Sequence, residues 1–466
     1  MTALAEYRAR LRCDLYGFTQ HCFYELNPQS EFAGNWHIEA IMGKLEAVRL
    51  GKIRRLIINL PPRHLKSLCA SIALPAWLLG HDPAAQIMCV SYGQDLADKL
   101  ARDCRTVMSA SWYQDLFPTR LSSSKQAVQE YVTTAQGYRL STSVGGALTG
   151  RGADVIIIDD PMKPDEAASE SQRRAVNQWY DHTLYSRLND KERGAIILIM
   201  QRLHEDDLTG HVLAQEPWEV LTLPAIAEED ELHTFATPFG QRSVKRGKGE
   251  ALHPERESRE TLERIRKTLG TYHFAAQYQQ EPVPFGGAMV MRHWFQTYPA
   301  EDPPRVETIL QSWDTANKAT ELSDYSVCTT WGIKERRLYL LDVLRQRLDY
   351  PELKRAVHRA WQEWEPDTVV IEDKASGTQL IQELKAEGVA NIAPYVPEQD
   401  KLMRLYAQTA TIENGFVYVP SEAPWLDDYL RELMAFPNGK HSDQVDSTSQ
   451  ALAWLNRPKP VTFSFA

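Results

Sequence analysis

Residues 54–71, RRLIINLPPRHLKSLCAS, decide how the rest of the chain is read. Two arginines precede a short apolar run of β-type residues from Leu56 to Asn59; a tight turn follows, and Lys66-Ser67 open a helix with apolar periodicity. A strand feeding a loop that ends in Lys-Ser at a helix start has the parts needed to hold a nucleoside triphosphate. Backbone N–H groups at the helix N-terminus face the phosphates, the lysine supplies a point charge, and the serine hydroxyl can ligate Mg²⁺. The usual phosphate loop has glycine where this chain has Leu60 and Leu65, and Pro61 and Pro62 have no N–H to donate. The cradle therefore falls to Arg63, His64, Leu65, Lys66 and Ser67. Taken alone, the stretch is equally a strand–turn–helix connection with a solvated lysine.

Around it the pattern alternates. Helices are expected over residues 3–26, Trp36–Leu50, Leu68–Leu79, Gln94–Met108 and Ser169–Tyr185, with strands at Gln86–Ser91, Val155–Asp160, Ala195–Met200 and Glu219–Leu223. Tyr131–Thr134 and Tyr138–Ser143 read as a hairpin through Gln136-Gly137. Strands alternating with helices predict a parallel α/β sheet in a first domain spanning 1–225. Residues 226–290 are polar, basic and punctuated by Gly and Pro, with one amphipathic helix (Arg259–Leu269), and read as a connection. A different order begins near Arg305. Three antiparallel strands (Ile309–Asp314, Ser326–Ile333, Arg337–Leu344) precede helix Pro351–Trp364, strand Thr368–Asp373 and helix Thr378–Ala386. Strand Ile392–Tyr395, helix Lys401–Ile412, strand Val417–Val419 and helices near Trp425–Met434 and Asp443–Leu455 complete a mixed-sheet domain over 291–466.

With 466 residues, two or three domains are expected. Hydrophobic residues make up 43% and no apolar run is long enough to span a membrane. The N-terminus lacks a signal-peptide apolar core, and the six scattered cysteines form no C-x-x-C pair, so a reducing cytoplasm is expected and no zinc knuckle or disulfide framework. A net charge of −10 excludes a surface coated for DNA binding, leaving only local, salt-sensitive contact with nucleic acid.

VIIIDD (155–160) is the second half of the nucleotide argument. A strand delivering Asp159 beside the phosphate loop can hold Mg²⁺ through water, and Asp160 can orient or deprotonate an attacking water. Arg63, and Arg151 in TGRG, are candidates to stabilise charge on the transferring phosphoryl group. Gln201, ending the next strand, stands where a γ-phosphate sensor would. His204, Glu205, Asp206 and Asp207 read as a solvated helix start rather than a metal cluster. In the second half, Asp314 and Asp373 end apolar strands and Asp443 opens the last helix; Glu372 and Asp446 stand close by. Strand alternation sets Val369, Ile371 and Asp373 on one face, Val370 and Glu372 on the other. Three carboxylates converging from three element ends need cations. Two Mg²⁺ or Mn²⁺ ions would neutralise them and support phosphodiester hydrolysis.

PPRHLKS, VIIIDDP and QRLHEDDLTG, followed by SWDTA, IEDKASG and HSDQVDSTSQAL, form an ordered set that resembles the large terminase subunit of tailed bacteriophages, from about Trp36 to Leu455. The resemblance implies an N-terminal ASCE-type P-loop ATPase that drives double-stranded DNA into a procapsid, and a C-terminal RNase H-like nuclease that cuts the concatemer. It implies Lys66 and Ser67 as the Walker A pair, Asp159 as the Walker B aspartate, Arg63 as the Walker A arginine and Arg151 near a trans-acting finger. The family's usual catalytic Glu is Asp160 here. Asp314, Asp373 and Asp443 match the nuclease triad, with the choice inside the pairs Glu372/Asp373 and Asp443/Asp446 left open. ATP and Mg²⁺ are the implied cofactors, with Mn²⁺ as an alternative at the nuclease. The implied partners are DNA, the portal of the procapsid, a small terminase subunit and further copies in a ring, in the host cytoplasm and transiently docked on the procapsid. Two other readings are a cellular helicase-like translocase fused to a nuclease, and an inactive capsid or portal adaptor.

Overall fold

The computed structural model describes residues 3–148, 150–282, 289–315, 325–374, 376–389, 391–397 and 399–457. Thr149 of TGRG, Ala316 of SWDTA, Ala375 of IEDKASG and residues 283–288 of the expected connection lie outside these. The chain forms two compact units, Met1–Val283 and Pro284–Ala466.

The first unit is built on eight strands: β1 (Arg55–Asn59), β2 (Gln86–Ser91), β3 (Leu121–Gln126), β4 (Glu130–Thr133), β5 (Tyr138–Ser143), β6 (Val155–Asp159), β7 (Ala195–Met200) and β8 (Glu219–Thr222). Their order is β3-β4-β5-β2-β6-β7-β1-β8, parallel from β5 to β8, with β4 antiparallel to β5. The apolar runs are continuous because both faces are covered. Leu56, Ile58, Ile157 and Ile197 enter one core, while Ile57, Ile156, Ile158 and Leu198 enter the other. Strand β7 lies between the strand before the phosphate loop and the strand ending in Asp159, the insertion expected of an ASCE sheet. Edge strand β3, LSSSKQ, was not anticipated, since it has no apolar alternation to read.

Several helices are subdivided. The expected helix over 3–26 is two, Ala3–Leu11 and Leu15–Leu26, because the side chain of Asp14 accepts from the Tyr16 N–H and caps the second. After Ser67 the chain runs as a π-helix over Leu68–Ala73 before Leu74–His81 becomes α-helical. Pro75 explains this turn: it has no N–H for the Ser71 carbonyl, which accepts instead from Arg139 Nη2 at 3.1 Å. Ser169–Tyr185 is the α-helix Glu170–Trp179 continued by a π-turn, and Lys401–Ile412 divides into Lys401–Tyr406 and Thr409–Glu413.

Residues 226–282, read from sequence as part of a connection, fold within the first unit. They form the antiparallel hairpin β9 (Glu231–Thr237) and β10 (Gly240–Arg246), then helices Arg259–Leu269 and Thr271–Gln277. Ala225, Ile226, Leu262 and Phe274 close a small core there, and Gln280 Oε1 accepts from the Arg202 N–H at 2.9 Å.

The second unit holds β11 (Gln296–Tyr298), β12 (Thr308–Asp314), β13 (Ser326–Lys334), β14 (Arg337–Gln346), β15 (Thr368–Glu372), β16 (Ile392–Tyr395) and β17 (Val417–Pro420). The order β11-β17-β14-β13-β12-β15-β16 joins an antiparallel β12–β13–β14 meander to parallel β15 and β16, the mixed sheet expected. On one face Trp313, Val369 and Ile371 pack with Leu353 and Val357 of helix Tyr350–Trp364 and Leu380 and Leu384 of helix Ser376–Ala386. On the other lies helix Asp443–Leu455. Gln450 Nε2 donates to Ser312 Oγ at 3.1 Å, and Ser447 Oγ donates to the Ser312 carbonyl at 2.8 Å.

Candidate active sites

The first centre sits at the C-terminal ends of β1, β6 and β7. Lys66 Nζ donates to Asp160 Oδ1 at 2.7 Å, and Ser67 Oγ donates to Asp159 Oδ1 at 3.1 Å. Ser71, one helical turn further on, donates to Asp159 Oδ2 at 2.7 Å. The backbone N–H of Gln201 reaches Asp160 Oδ1 at 3.3 Å. Asp159 is buried; that burial, reinforced by the charge of Asp160, pushes its carboxyl up to about 6. A buried carboxylate in this state favours a nearby cation.

Three residues of this centre with full side chains adopt left-handed backbone: Arg63 (φ 65°), Leu65 (φ 62°) and Asp160 (φ 46°). Leu65 thus takes the conformation that glycine usually supplies before Lys-Ser. Asp160 is held there from both sides: its N–H donates to the Ile199 carbonyl at 3.0 Å, and its carbonyl accepts from the Tyr92 N–H at 3.0 Å. The side-chain oxygen of Gln201 is buried and has no hydrogen-bond partner among the described residues, so it can take a donor from a bound group or its water. Lysine, hydroxyl, buried carboxylate and this orphaned oxygen fit a magnesium-bound triphosphate.

The remaining loop residues divide. His64 is buried, with its Nδ1 2.9 Å from the Pro62 carbonyl, and its ring stands against those of His37 and His253 at centroid distances of 5.4 and 6.4 Å. It braces the loop from behind. Arg63 is exposed and, among the described residues, in no ion pair. Arg151 is not brought to this centre. It pairs with Glu130 Oε2 at 2.6 Å, and Gly152 beside it accepts from the hydroxyl of Tyr138 at the start of β5, the sheet end opposite the phosphate loop. Asp207 caps helix Leu208–Leu213 and binds Arg202 at 2.9 Å. His204, Glu205 and Asp206 cluster their donor atoms just before it, two of the three side chains exposed, as a helix start would have them.

In the second unit the register sets Ser312 beside Val370 and Trp313 beside Ile371, so the next step brings Asp314 level with Glu372. Both point to the face covered by helix Asp443–Leu455, which contributes Asp443 and Asp446 at its first turn. Four carboxylates therefore meet. Burial raises the Asp314 carboxyl well above its ordinary range, and the charges of Asp446, Glu372 and Asp443 add to the effect. Asp373 takes a different course. It follows β15 on the other face, where its Oδ1 accepts from Thr378 Oγ1 at 2.7 Å. The structure thus brings Glu372, Asp443 and Asp446 together with Asp314, and sets Asp373 apart from them. Gly377 makes the tight return from β15 possible, since a Cβ there would lie 2.0 Å from the Glu372 carbonyl oxygen.

Two cations that sequence reading did not single out enter this cluster from helix Lys401–Tyr406. Arg404 Nη2 donates to Asp446 Oδ1 at 2.7 Å and its Nη1 lies 3.5 Å from Glu372 Oε2; Lys401 meets Asp446 Oδ2. Nothing in the pattern PEQDKLMR marks them, because only the packing of that helix against the last one aims them at the acids. Ser71 and Arg139 were also missed. The i+4 spacing of Ser71 from Ser67 was a usable signal.

Comparison with known proteins bears on both units. Residues 57–274 match the family described as terminase large subunit, T4likevirus-type, N-terminal, and residues 311–454 match the terminase RNaseH-like domain. No curated protein matches. Among solved structures, the large terminase of the thermophilic bacteriophage D6E aligns at a TM-score of 0.51 and 10% identity, covering 88% of this chain and 98% of that one, and shares the fold. The HK97 bacteriophage large terminase aligns at a TM-score of 0.37 and 10% identity over 94% of this chain and 98% of its own. The large terminase nuclease of thermophilic phage G20c, solved with magnesium, aligns at 0.29 and 18% identity over 36% of this chain and 98% of its own. With two centres in two units, and both halves matching in order, the chain belongs to the large terminase family.

Proposed function

We propose that this chain is the motor and nuclease of a phage DNA-packaging machine, hydrolysing ATP to move double-stranded DNA into a procapsid and cutting the concatemer with a metal-dependent endonuclease. The observation that carries the reading is the pairing, in one chain, of a Lys66–Asp160 and Ser67–Asp159 centre with a four-carboxylate centre. The D6E large terminase has been solved with ADP and with ATP-gamma-S, and the G20c nuclease with magnesium, cobalt and zinc. ATP and Mg²⁺ are accordingly assigned to the first centre, and Mg²⁺ or Mn²⁺ to the second. The second unit has no phosphate loop in its sequence, which disfavours a two-lobed helicase.

In the first centre Lys66 now neutralises Asp160. Arriving phosphates compete for the lysine, and the freed Asp160 carboxylate is then placed to orient or deprotonate water. Ser67 and Asp159 would hold Mg²⁺, which supplies charge neutralisation on the phosphates; Ser71 keeps the second oxygen of Asp159 fixed. Gln201, whose backbone touches Asp160, is placed to report the γ-phosphate. Arg63 is the candidate to stabilise the transition state from this chain, and Arg151 can act only on a neighbouring copy's nucleotide, in a ring. In the second centre Asp314, Glu372, Asp443 and Asp446 would hold the metal. The portal, a small subunit and a docked ring in the host cytoplasm complete the proposal; no helix among the described residues is long and apolar enough to cross a membrane.

Separable loss tests it. Lys66→Ala is expected to abolish ATP hydrolysis and packaging while leaving plasmid cutting, whereas Asp314→Ala abolishes cutting and leaves hydrolysis within about twofold. Cutting that survives Asp314→Ala would remove the nuclease assignment.

A further inference from the structure

We infer that Arg347, held on the ring of Tyr325, binds a backbone phosphate of the DNA strand that enters the nuclease centre, and so positions that strand for cutting. The inference rests on the nuclease reading above. Its basis is one row of the sheet. In register, Asp314 of β12 stands opposite Val327 of β13, and Val327 stands opposite Arg345 of β14. Directly opposed residues share a face, so Arg345 lies on the acid-bearing face, two strand spacings or about 10 Å from Asp314. Tyr325 and Arg347 follow at the same sheet end, two residues before Val327 and two after Arg345. The backbone N–H of Tyr325 donates to Asp443 Oδ2 at 3.4 Å, which ties this residue to the carboxylate cluster.

The two arginines share the ring but not a partner. Their guanidinium carbons lie over Tyr325 at 4.1 Å (Arg345) and 4.5 Å (Arg347) from its centroid, and the His441 ring meets it edge-on at 5.4 Å. Arg345 is engaged: its Nη2 pairs at 3.1 Å with buried Glu432, which also accepts from the backbone and side-chain N–H groups of Gln444, at 2.7 Å each. Arg347 is exposed and has no ion pair among the described residues. Bringing a second guanidinium beside the first costs repulsion, and Glu432 offsets only one of the two charges. Stacking uses the face of a guanidinium and leaves its N–H edge free, the planar fork that fits a phosphate. A DNA backbone crossing from the acids toward β14 brings such a phosphate about three nucleotides from the one beside Asp314.

The test separates binding from chemistry. Full-length, nucleotide-free protein in excess cuts a linear DNA duplex in a single turnover with Mg²⁺, at salt from roughly 50 to 200 mM. The arms are wild type, Arg347→Gln, Arg347→Lys and Asp314→Ala. Arg347→Gln is expected to raise the half-saturating protein concentration about tenfold at the low-salt end and to keep the plateau rate within about twofold. It is also expected to make the log–log salt dependence of that concentration shallower by about one. Arg347→Lys, which keeps the charge, is expected to retain the wild-type slope. An unchanged half-saturating concentration and slope in Arg347→Gln, while Asp314→Ala still abolishes cutting, would overturn the inference and leave the nuclease reading standing. So would a lower plateau alone, since Arg347 would then act only by holding Tyr325 against Asp443. Cutting that survives Asp314→Ala would overturn both.

Discussion

Three residues of the nucleotide centre, Arg63, Leu65 and Asp160, hold left-handed backbone with full side chains, a cost of about 1–3 kcal/mol each. Such strain persists only where the surroundings dictate it, and here His64 fills the space behind the loop. Burial holds the His64 imidazole down to about 4; the charges of Arg256 and Lys66 and the ring of His253 act the same way, against its bond to the Pro62 carbonyl. His37 and His253 are lowered by burial as well, while burial raises the Glu257 carboxyl and works in the opposite direction on acid stability. An unfolded imidazole takes its proton near 6.5 and the folded one near 4, so below 6.5 the unfolded chain binds more protons and stability falls until about pH 4. His64 alone accounts for about 3 kcal/mol of that fall. In His64→Gln, the acid limb of a denaturant-midpoint against pH curve is expected to flatten by that amount. An unchanged limb would show that the ring is already protonated, or solvated, in the folded loop.

At the scale of the element, strand β15 illustrates how one residue of register decides chemistry. Glu372 shares the face of Val370, under the last helix, whereas Asp373 shares the face of Val369 and Ile371, under helices Tyr350–Trp364 and Ser376–Ala386. Glu372→Gln is therefore expected to lower the DNA-cutting rate by about a hundredfold or more, as loss of a charged group at a metal centre does. Asp373→Ala should keep cutting within a few-fold and lose only the Thr378 hydrogen bond, about 1 kcal/mol in a thermal melt. The reverse ranking would mean that the return loop rearranges when metal binds. The π-helix after Ser67 shows the same scale in the other unit. Pro75 forces it, Arg139 satisfies the Ser71 carbonyl it frees, and Ser71 is turned onto Asp159.

Across the whole molecule the net charge of −10 opposes DNA, so contact must rest on local basic groups placed by each unit. With about four phosphates neutralised, affinity for duplex DNA is expected to fall by about a hundredfold between roughly 50 and 200 mM salt. Fluorescence anisotropy across that range checks this, and a flat response would exclude a phosphate-dominated contact. The fold class and the first centre were legible in the chain itself. PPRHLKS and VIIIDD each carry a strand, a turn and the reactive groups within a few residues, so each half of that centre could be read from its own stretch and the two paired by chemistry, while their contact is the work of the fold. The nuclease centre was legible only as a set of strand and helix ends. Which acid of Glu372 and Asp373 joins Asp314 depends on which sheet face the last helix covers, a choice made some seventy residues downstream. Lys401 and Arg404 were invisible for the same reason, as was the position of Arg151 at the far end of the sheet. Sequence determined what each element presents along its own axis; tertiary structure alone decided which elements meet, because side-chain direction is local and the covering of a face is not.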